Sequence, residues 1–413
     1  MIDLALLREN PTQIIALLHK KDPSFDAQKL YELDSAVKKM RFDVEALRHA
    51  KNELAQKGKL GITPELREQS IAIGKQLKQQ EEALTTIEQD FMRLYLACPN
   101  LIESDIPAGG KEANKVVKTW GEKRNFNFTP KNHLDIGTHL GWIDFEAAAM
   151  VAGSQFALYK KEGVKLLYNL TAFMLKNNSK HGYEMILPPY LANEKSLEVA
   201  SNFPKFKDQV YAASEDDLYL IPTSEVSLTN LYRNQIIPGD TLPIRMTSWT
   251  SCFRREAGGY GATERGLIRI HQFEKVELYT LCKPTDAKHE QERMLACAED
   301  ILQQLGLHYR ISLLAAQDCS FPSARTYDIE VWLPGQNQYY EVSSVSNCTD
   351  FQARRGLIRF KEKPEGKTEL VYTLNGSSLA LPRLMAALFE VYQQEDGSVQ
   401  LPDIISKYSI FEI

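Results

Sequence analysis

Between Leu30 and Leu94, apolar side chains return every three or four residues, and no other feature restricts the possible folds of this chain as much. The first run is Leu30, Leu33, Val37, Met40, Val44, Leu47 and Leu54, broken only at Lys51. The second follows Gly58, Gly61 and Pro64 and comprises Leu66, Ile73, Leu77, Leu84, Ile87, Phe91 and Leu94, interrupted at Ser70 and Gln80. A repeat of about 3.5 residues sustained over several heptads is the pattern of a coiled coil. The short Gly/Pro break makes the two helices antiparallel neighbours. At about 1.5 Å per residue, a helix of roughly 30 residues is some 45 Å long, more than a small domain is wide. The expectation is an N-terminal domain, residues 1–100, carrying an antiparallel two-helix coiled-coil arm over about 27–96.

Periodicity alone suits a dimerisation or spacer coil as well as a binding arm. The charge around the bend adds a second reading: Arg48, Lys51, Lys57 and Lys59 are set against Glu53 alone, and His49 can add a proton. A basic tip on a rigid rod fits phosphate backbones, where affinity comes from counterion release rather than base reading. An A-form RNA helix would be held by shape, because side chains cannot read its deep groove.

The 413 residues allow two or three domains. The formal charge of −5 provides no global field for polyanions, so any nucleic-acid site must be a local patch. The six cysteines form no CxxC pair and no zinc-ligand spacing, as expected of buried thiols in a reducing cytoplasm. No basic leader and no run of about 18 apolar residues is present, so neither a signal peptide nor a membrane span is expected. Residues 101–132, with Pro107, Gly109 and Gly110, read as a linker with extended segments. From His133 to the end, helix patterns mix with alternating strands, which implies an α+β domain around an antiparallel sheet.

Within that domain, residues 252–277 carry the most chemistry. A strand-like run from Met246 to Phe253 ends in Arg254, Arg255 and Glu256, a glycine-rich excursion follows, and the chain returns through Leu267, Arg269, His271, Phe273, Lys275 and Glu277. Alternation on both sides of a glycine loop is a hairpin signature. Its guanidinium, carboxylates and aromatic ring can clamp a phosphate, accept from a nucleobase amine, stack on its ring and hold an ammonium. Charged hairpins are also commonly solvated faces whose ion pairs contribute little. The combination FRxE…HQFEKVE is more specific. It resembles motif 2 of the class II aminoacyl-tRNA synthetases, and its wording is similar to that of the seryl-tRNA synthetase family.

Other segments carry the same resemblance. Thr223-Ser224-Glu225 reads as a helix N-cap, and the family uses a TxE at this place for its amino acid. Glu341-Val342-Ser343-Ser344 follows the strand Thr326 to Leu333; a carboxylate there can be structural, or can hold Mg²⁺ beside a triphosphate. Leu374 to Arg383 resembles motif 3, departing from its glycine-alternating form at Ser378 and Pro382, which bears on how closely backbone approaches ATP. His181 to Tyr190, after a helix pattern from about Val164, resembles motif 1, which in this class builds a two-fold dimer interface.

The resemblance spans essentially the whole chain. It implies a class II synthetase-like antiparallel sheet flanked by helices, in a catalytic domain of residues 133–413. It implies ATP-dependent activation of serine and transfer to the 3′ end of tRNA(Ser), leaving tRNA(Sec) open as a further acceptor, in a cytoplasmic homodimer using Mg²⁺ and no zinc. The implied catalytic residues are Arg254, Arg383 and Glu341. The implied serine site is Thr223, Ser224, Glu225, Glu277 and Ser377. The implied ATP site is Arg254, Arg255, Glu256, Phe273, Glu341, Val342, Ser343, Ser344 and Arg383. Arg48, Lys51, Lys57 and Lys59 would contact tRNA. Two other readings are a ligase for another small amino acid or a carrier, and an inactive RNA-binding paralogue.

Overall fold

A computed structural model of the chain describes residues 1–59, 61–257 and 266–407, which divide into two compact units, Met1–Pro99 and Asn100–Ile413. The glycine-rich excursion after Ala257 lies outside the described residues.

In the first unit, helices α1 (Ala27–Gly58) and α2 (Pro64–Leu96) form the arm. Both begin as capping chemistry dictates: Asp26 accepts from the Lys29 N–H, Thr63 accepts from the Leu66 N–H, and Pro64 occupies the first turn. The periodic positions form the seam, with Leu30, Val37, Val44, Leu77 and Phe91 buried and the others half-buried. Arg41 pairs with Glu88 at 2.6 Å and Arg48 with Glu81 at 2.8 Å, so partner numbers fall as the helix rises, which fixes the antiparallel sense. Arg48 also pairs with Glu45 at 2.6 Å. The expectation that the basic cluster faces Glu53 alone therefore fails at Arg48, which meets Glu45 one turn back on its own helix and Glu81 brought up by α2. At the base of the arm, Asp34 is buried in a two-pronged ion pair with Arg8, and the Tyr95 hydroxyl donates to the Ile2 carbonyl at 2.6 Å.

The second unit is built on eight strands: β1 (Lys115–Trp120), β2 (Glu184–Met185), β3 (Ile244–Phe253), β4 (Gln272–Cys282), β5 (Tyr309–Leu313), β6 (Arg325–Leu333), β7 (Gln338–Asn347) and β8 (Tyr372–Ala380). Their order is β1-β5-β6-β7-β8-β4-β3-β2, antiparallel throughout except for the edge pairing of β2 with β3. Strand β1 lies within the stretch expected to be a linker; it pairs with β5, and Trp120 stacks on Tyr309.

Three helices cover the sheet: α3 (Glu162–Lys180), α4 (Ala287–Gln304) and α5 (Leu381–Tyr392). Phe173 of α3, Ile301 of α4 and Leu384, Leu388 and Phe389 of α5 share one core with Val276, Ile329, Val331 and Leu379. Alternation along β4 divides its side chains between two roles. Val276 and Leu278 join the helix-facing cores, while Phe273, Lys275 and Glu277 line a cavity. Gly376 in β8 is required by close approach, since a Cβ there would lie 2.9 Å from the Met294 sulfur and 3.0 Å from Val345.

The return arm of the hairpin begins later than alternation suggests. Residues Gly266–Ile268 form a 3₁₀ turn and the strand starts at Gln272. Leu267 and Ile268 are adjacent yet both buried, which a two-residue repeat cannot arrange, and the Leu267 N–H donates to His133 Nε2.

Candidate active site

Five segments distant in sequence converge on one cavity through strand register. β3 pairs with β4 so that Cys252 opposes Phe273, carrying Arg254 to the end of the strand. β4 pairs with β8 so that Glu277 opposes Ser377, and β8 pairs with β7 so that Gly376 opposes Val345. A bulge between Ser377 and Ala380 then turns the chain into α5, where Pro382 sits in the first turn and Arg383 follows. The fifth segment, Pro222 to Glu225, opens a short helix, Glu225–Asn230.

The cavity has two adjoining lobes, of about 710 and about 160 Å³. Arg254, Glu256, Arg269, Lys275, Glu341 and Ser377 line both. The smaller lobe adds Phe273, Val342, Pro382 and Arg383; the larger adds Thr223, Glu225, Glu277, Ser344 and Asn375. Arg254 and Arg383 thus face one space. The Arg254 guanidinium lies 5.1 Å from the Phe273 ring centroid, and its Nε donates to the Pro222 carbonyl at 3.3 Å. Arg383 is held by the Glu341 carbonyl at 2.7 Å and the Ile268 carbonyl at 3.1 Å. Glu256 pairs with Arg269 at 2.5 Å.

At the inner end, Lys275, Glu277 and Thr223 form a buried polar knot. Lys275 pairs with Glu277 and donates to Thr223 Oγ1 at 2.7 Å, while that hydroxyl donates to Glu277 at 3.2 Å. Glu225 accepts from Gln352 at 2.6 Å and from Asn375 at 3.1 Å. Burial, reinforced by the Glu277 carboxylate, pushes the Glu225 carboxyl up to about 7.

Three expected site residues stand apart. Ser224 is wholly buried and lines neither lobe; the hydroxyl that bonds the first helical turn is that of Thr223, which accepts from the Glu225 N–H at 3.2 Å. Ser343 points the other way, donating to the Ser377 carbonyl and tying β7 to β8. Arg255 is exposed outside the lining, its N–H bonded to the Gln209 carbonyl at 2.9 Å. One departure from motif 3 also proves remote: Ser378 faces the helices and donates to Asn178 at 2.7 Å, so only Pro382 touches the cavity. Sequence reading missed Lys275, Arg269 and Asn375 as lining residues. Lys275 was within reach, since it shares the two-residue alternation of Phe273 and Glu277.

Among the described residues, no group of three or more His, Cys, Asp or Glu is arranged to hold a metal, and no helix is long and apolar enough to cross a membrane.

Comparison with known proteins supplies independent findings. Residues 1–102 match a family model described as the seryl-tRNA synthetase N-terminal domain, and residues 206–392 match the class II tRNA synthetase core domain (G, H, P, S and T). A serine--tRNA ligase of Syntrophobacter fumaroxidans is 44% identical, over 99% of this chain and 98% of that one. The structure of a Pyrococcus horikoshii seryl-tRNA synthetase complexed with ATP superposes with a TM-score of 0.92 at 32% identity, covering 100% of this chain and 99% of the other. A Naegleria fowleri cytoplasmic serine-tRNA ligase in complex with AMP shares the fold, with a TM-score of 0.86 at 24% identity over 99% and 97%.

Proposed function

The chain belongs to the seryl-tRNA synthetase family, and from that premise we propose how its residues activate serine with ATP and pass the seryl group to tRNA(Ser). The observation that carries the reading is the convergence of Arg254 and Arg383 on one lobe that adjoins the knot of Thr223, Lys275 and Glu277.

ATP lies across the two adjoining lobes, with adenine against Phe273 and its amine donating to Glu256. Arg383 takes the γ-phosphate, and Arg254 takes the α-phosphate together with the serine carboxylate. The serine ammonium lies among Thr223, Glu225 and Glu277, and Ser377 reads the hydroxyl. Support for that subsite comes from Lys275, whose own ammonium already pairs with Glu277 and donates to Thr223. A serine carboxylate oxygen attacks the α-phosphorus, the bond to the bridging oxygen of pyrophosphate breaks, and seryl-adenylate remains. No protein nucleophile takes part, so the residues act by positioning and charge neutralisation.

The oxygen donors at the lobe boundary suit Mg²⁺. Glu341 presents a half-exposed carboxylate, Ser344 lines the cavity beside it, and Asp328, across the strands from Ser344, keeps a buried Oδ1 that has no partner among the described residues. Glu341 and Ser344 would hold the ion against the phosphates, where it neutralises their charge.

Lys51, Lys57 and Lys59, all exposed near the bend, are the arm's contacts for tRNA, and Arg48 joins them on exchanging its carboxylate partners for phosphate. A homodimer is supported by the position of β2 at the sheet edge and by the exposed Leu187, Leu231, Ile236 and Leu357, each next in sequence to a residue of one apolar cluster. Six buried thiols suit a cytoplasmic location. Incubation of the protein with ATP, labelled serine and purified tRNA(Ser) is expected to charge the tRNA; absence of ATP-dependent charging overturns the proposal.

A further inference from the structure

One buried acid–base pair lies outside the cavity and lines neither lobe. His133 and Glu390 are almost wholly buried, with His133 Nδ1 2.8 Å from a Glu390 oxygen. Glu390 also accepts from the backbone N–H groups of His133 at 3.0 Å and Gly335 at 2.8 Å, and from the Gln336 amide at 3.2 Å. A carboxylate answered by this many donors is held in one orientation.

The pair closes a loop of contacts onto the phosphate side of the cavity. Glu390 follows Arg383 by seven residues on α5, two turns along the same face and about 10 Å away along the axis. On the other edge of the imidazole, Nε2 accepts from the Leu267 N–H at 3.2 Å. A ring nitrogen that accepts carries no proton, so the proton is on Nδ1 and is donated to Glu390. Leu267 belongs to the 3₁₀ turn Gly266–Ile268, and the Ile268 carbonyl of that turn accepts from Arg383 Nε at 3.1 Å. The contacts therefore leave α5 at Glu390, pass through His133 and the turn, and return to α5 at Arg383. Gly266 shows how closely ring and turn are fitted, since a Cβ there would lie 2.6 Å from His133 Nε2.

We propose that His133 is a positioning residue for serine activation: Glu390 sets its tautomer, and through the turn it fixes the Ile268 carbonyl that aims Arg383 at the γ-phosphate. The inference rests on the proposed role of Arg383. His133 touches neither nucleotide nor serine and acts only through the guanidinium.

Equilibrium binding of ATP and of AMP to full-length variants tests it. His133→Asn keeps a donor for Glu390 but is too short to accept from Leu267, whereas His133→Gln reaches Leu267 with its amide oxygen. His133→Asn is expected to weaken ATP binding about fivefold or more, while AMP, which lacks the γ-phosphate, changes by less than about twofold. His133→Gln should keep ATP binding within about twofold of wild type. On an Arg383→Ala background, His133→Asn should weaken ATP no further, because the route ends at that guanidinium. A pair that served packing alone would move both nucleotides, and both variants, alike. Unchanged ATP binding in His133→Asn, an equal loss for ATP and AMP, an equal loss in His133→Gln, or the same loss on the Arg383→Ala background overturns the inference. The wild-type protein offers a test that needs no variant. Coupling is reciprocal, so ATP should slow hydrogen exchange at the Leu267 amide more than AMP does, and equal protection by the two also overturns it. Should Arg383→Ala itself leave the preference for ATP over AMP unchanged, the functional reading of Arg383 falls and takes the inference with it, whereas the other negative outcomes remove His133 alone.

Discussion

The arm and the cavity are built from the same charged residue types put to opposite uses. On the arm, Arg41–Glu88 and Arg48–Glu81 span two helices in water, where such pairs add little to stability and exchange partners readily. In the cavity, Lys275 and Glu277 are buried, the Glu277 carboxylate helps push the neighbouring Glu225 carboxyl upward, and removing one of the three strands the others. Exposed charge is cheap to rearrange, which suits a surface that must accept a polyanion. Buried charge is costly to leave unpaired, which suits a pocket that must reject a ligand lacking the matching groups.

Four predictions bear on that contrast, beginning with the strongest. Arg254→Ala should lower serine-dependent pyrophosphate exchange by at least about 1,000-fold, near 4 kcal/mol, with far-UV circular dichroism unchanged; a loss under tenfold removes Arg254 from the phosphate site. Glu225→Gln should reduce kcat/KM for serine about 30-fold or more, since a buried charge partner is lost. In wild type that parameter should fall as pH drops through about 7, because protonation removes the carboxylate facing the ammonium, and the substitution should flatten this limb. The same shift has a stability consequence. The folded state holds a proton that the unfolded chain releases near 4.5, so Glu225 withdraws stability as pH rises from there to about 7, and Glu225→Gln should raise Tm above pH 7.

Weaker effects are expected on the arm. Replacing Lys57 and Lys59 together by Gln should raise KM for tRNA several-fold and reduce the salt slope of binding by about one for each phosphate left without its lysine, with exchange untouched. An unchanged salt slope removes the tip from the RNA site. Smallest of all, Arg41→Ala should shift stability by at most about 1 kcal/mol in urea unfolding. A larger loss would mean that the arm's surface pairs behave like those of the cavity.

The two regions also differ in how far sequence exposes them. Leu30 to Leu94 announce the helical hairpin because its seam is a local repeat, read without knowing anything distant. At Arg48 the Glu45 pairing was within reach at a spacing of three, whereas Glu81 arrives from the other helix and eluded the reading. In the catalytic unit, the resemblance singled out Arg254, Glu277, Glu341 and Arg383, but only strand register places them around one cavity. Ser224, Ser343 and Arg255 show the limit of motif reading. They sit beside lining residues in sequence, and the local backbone turns each away: Ser224 at the head of a helix, Ser343 within a strand, and Arg255 just past a strand's end. Ser201, Phe206 and Phe321, which also line the larger lobe, lie beyond such reading, since no local pattern joins the loop near residue 201 to the turn near residue 321.

The most direct test of the central claim is ATP–pyrophosphate exchange run in parallel with serine, alanine and threonine. A pocket in which Thr223, Glu225, Glu277 and Ser377 recognise serine predicts exchange with serine and at least about a hundredfold less with alanine, whose missing hydroxyl leaves polar groups unanswered. Equal exchange with alanine, or none with serine, would contradict it.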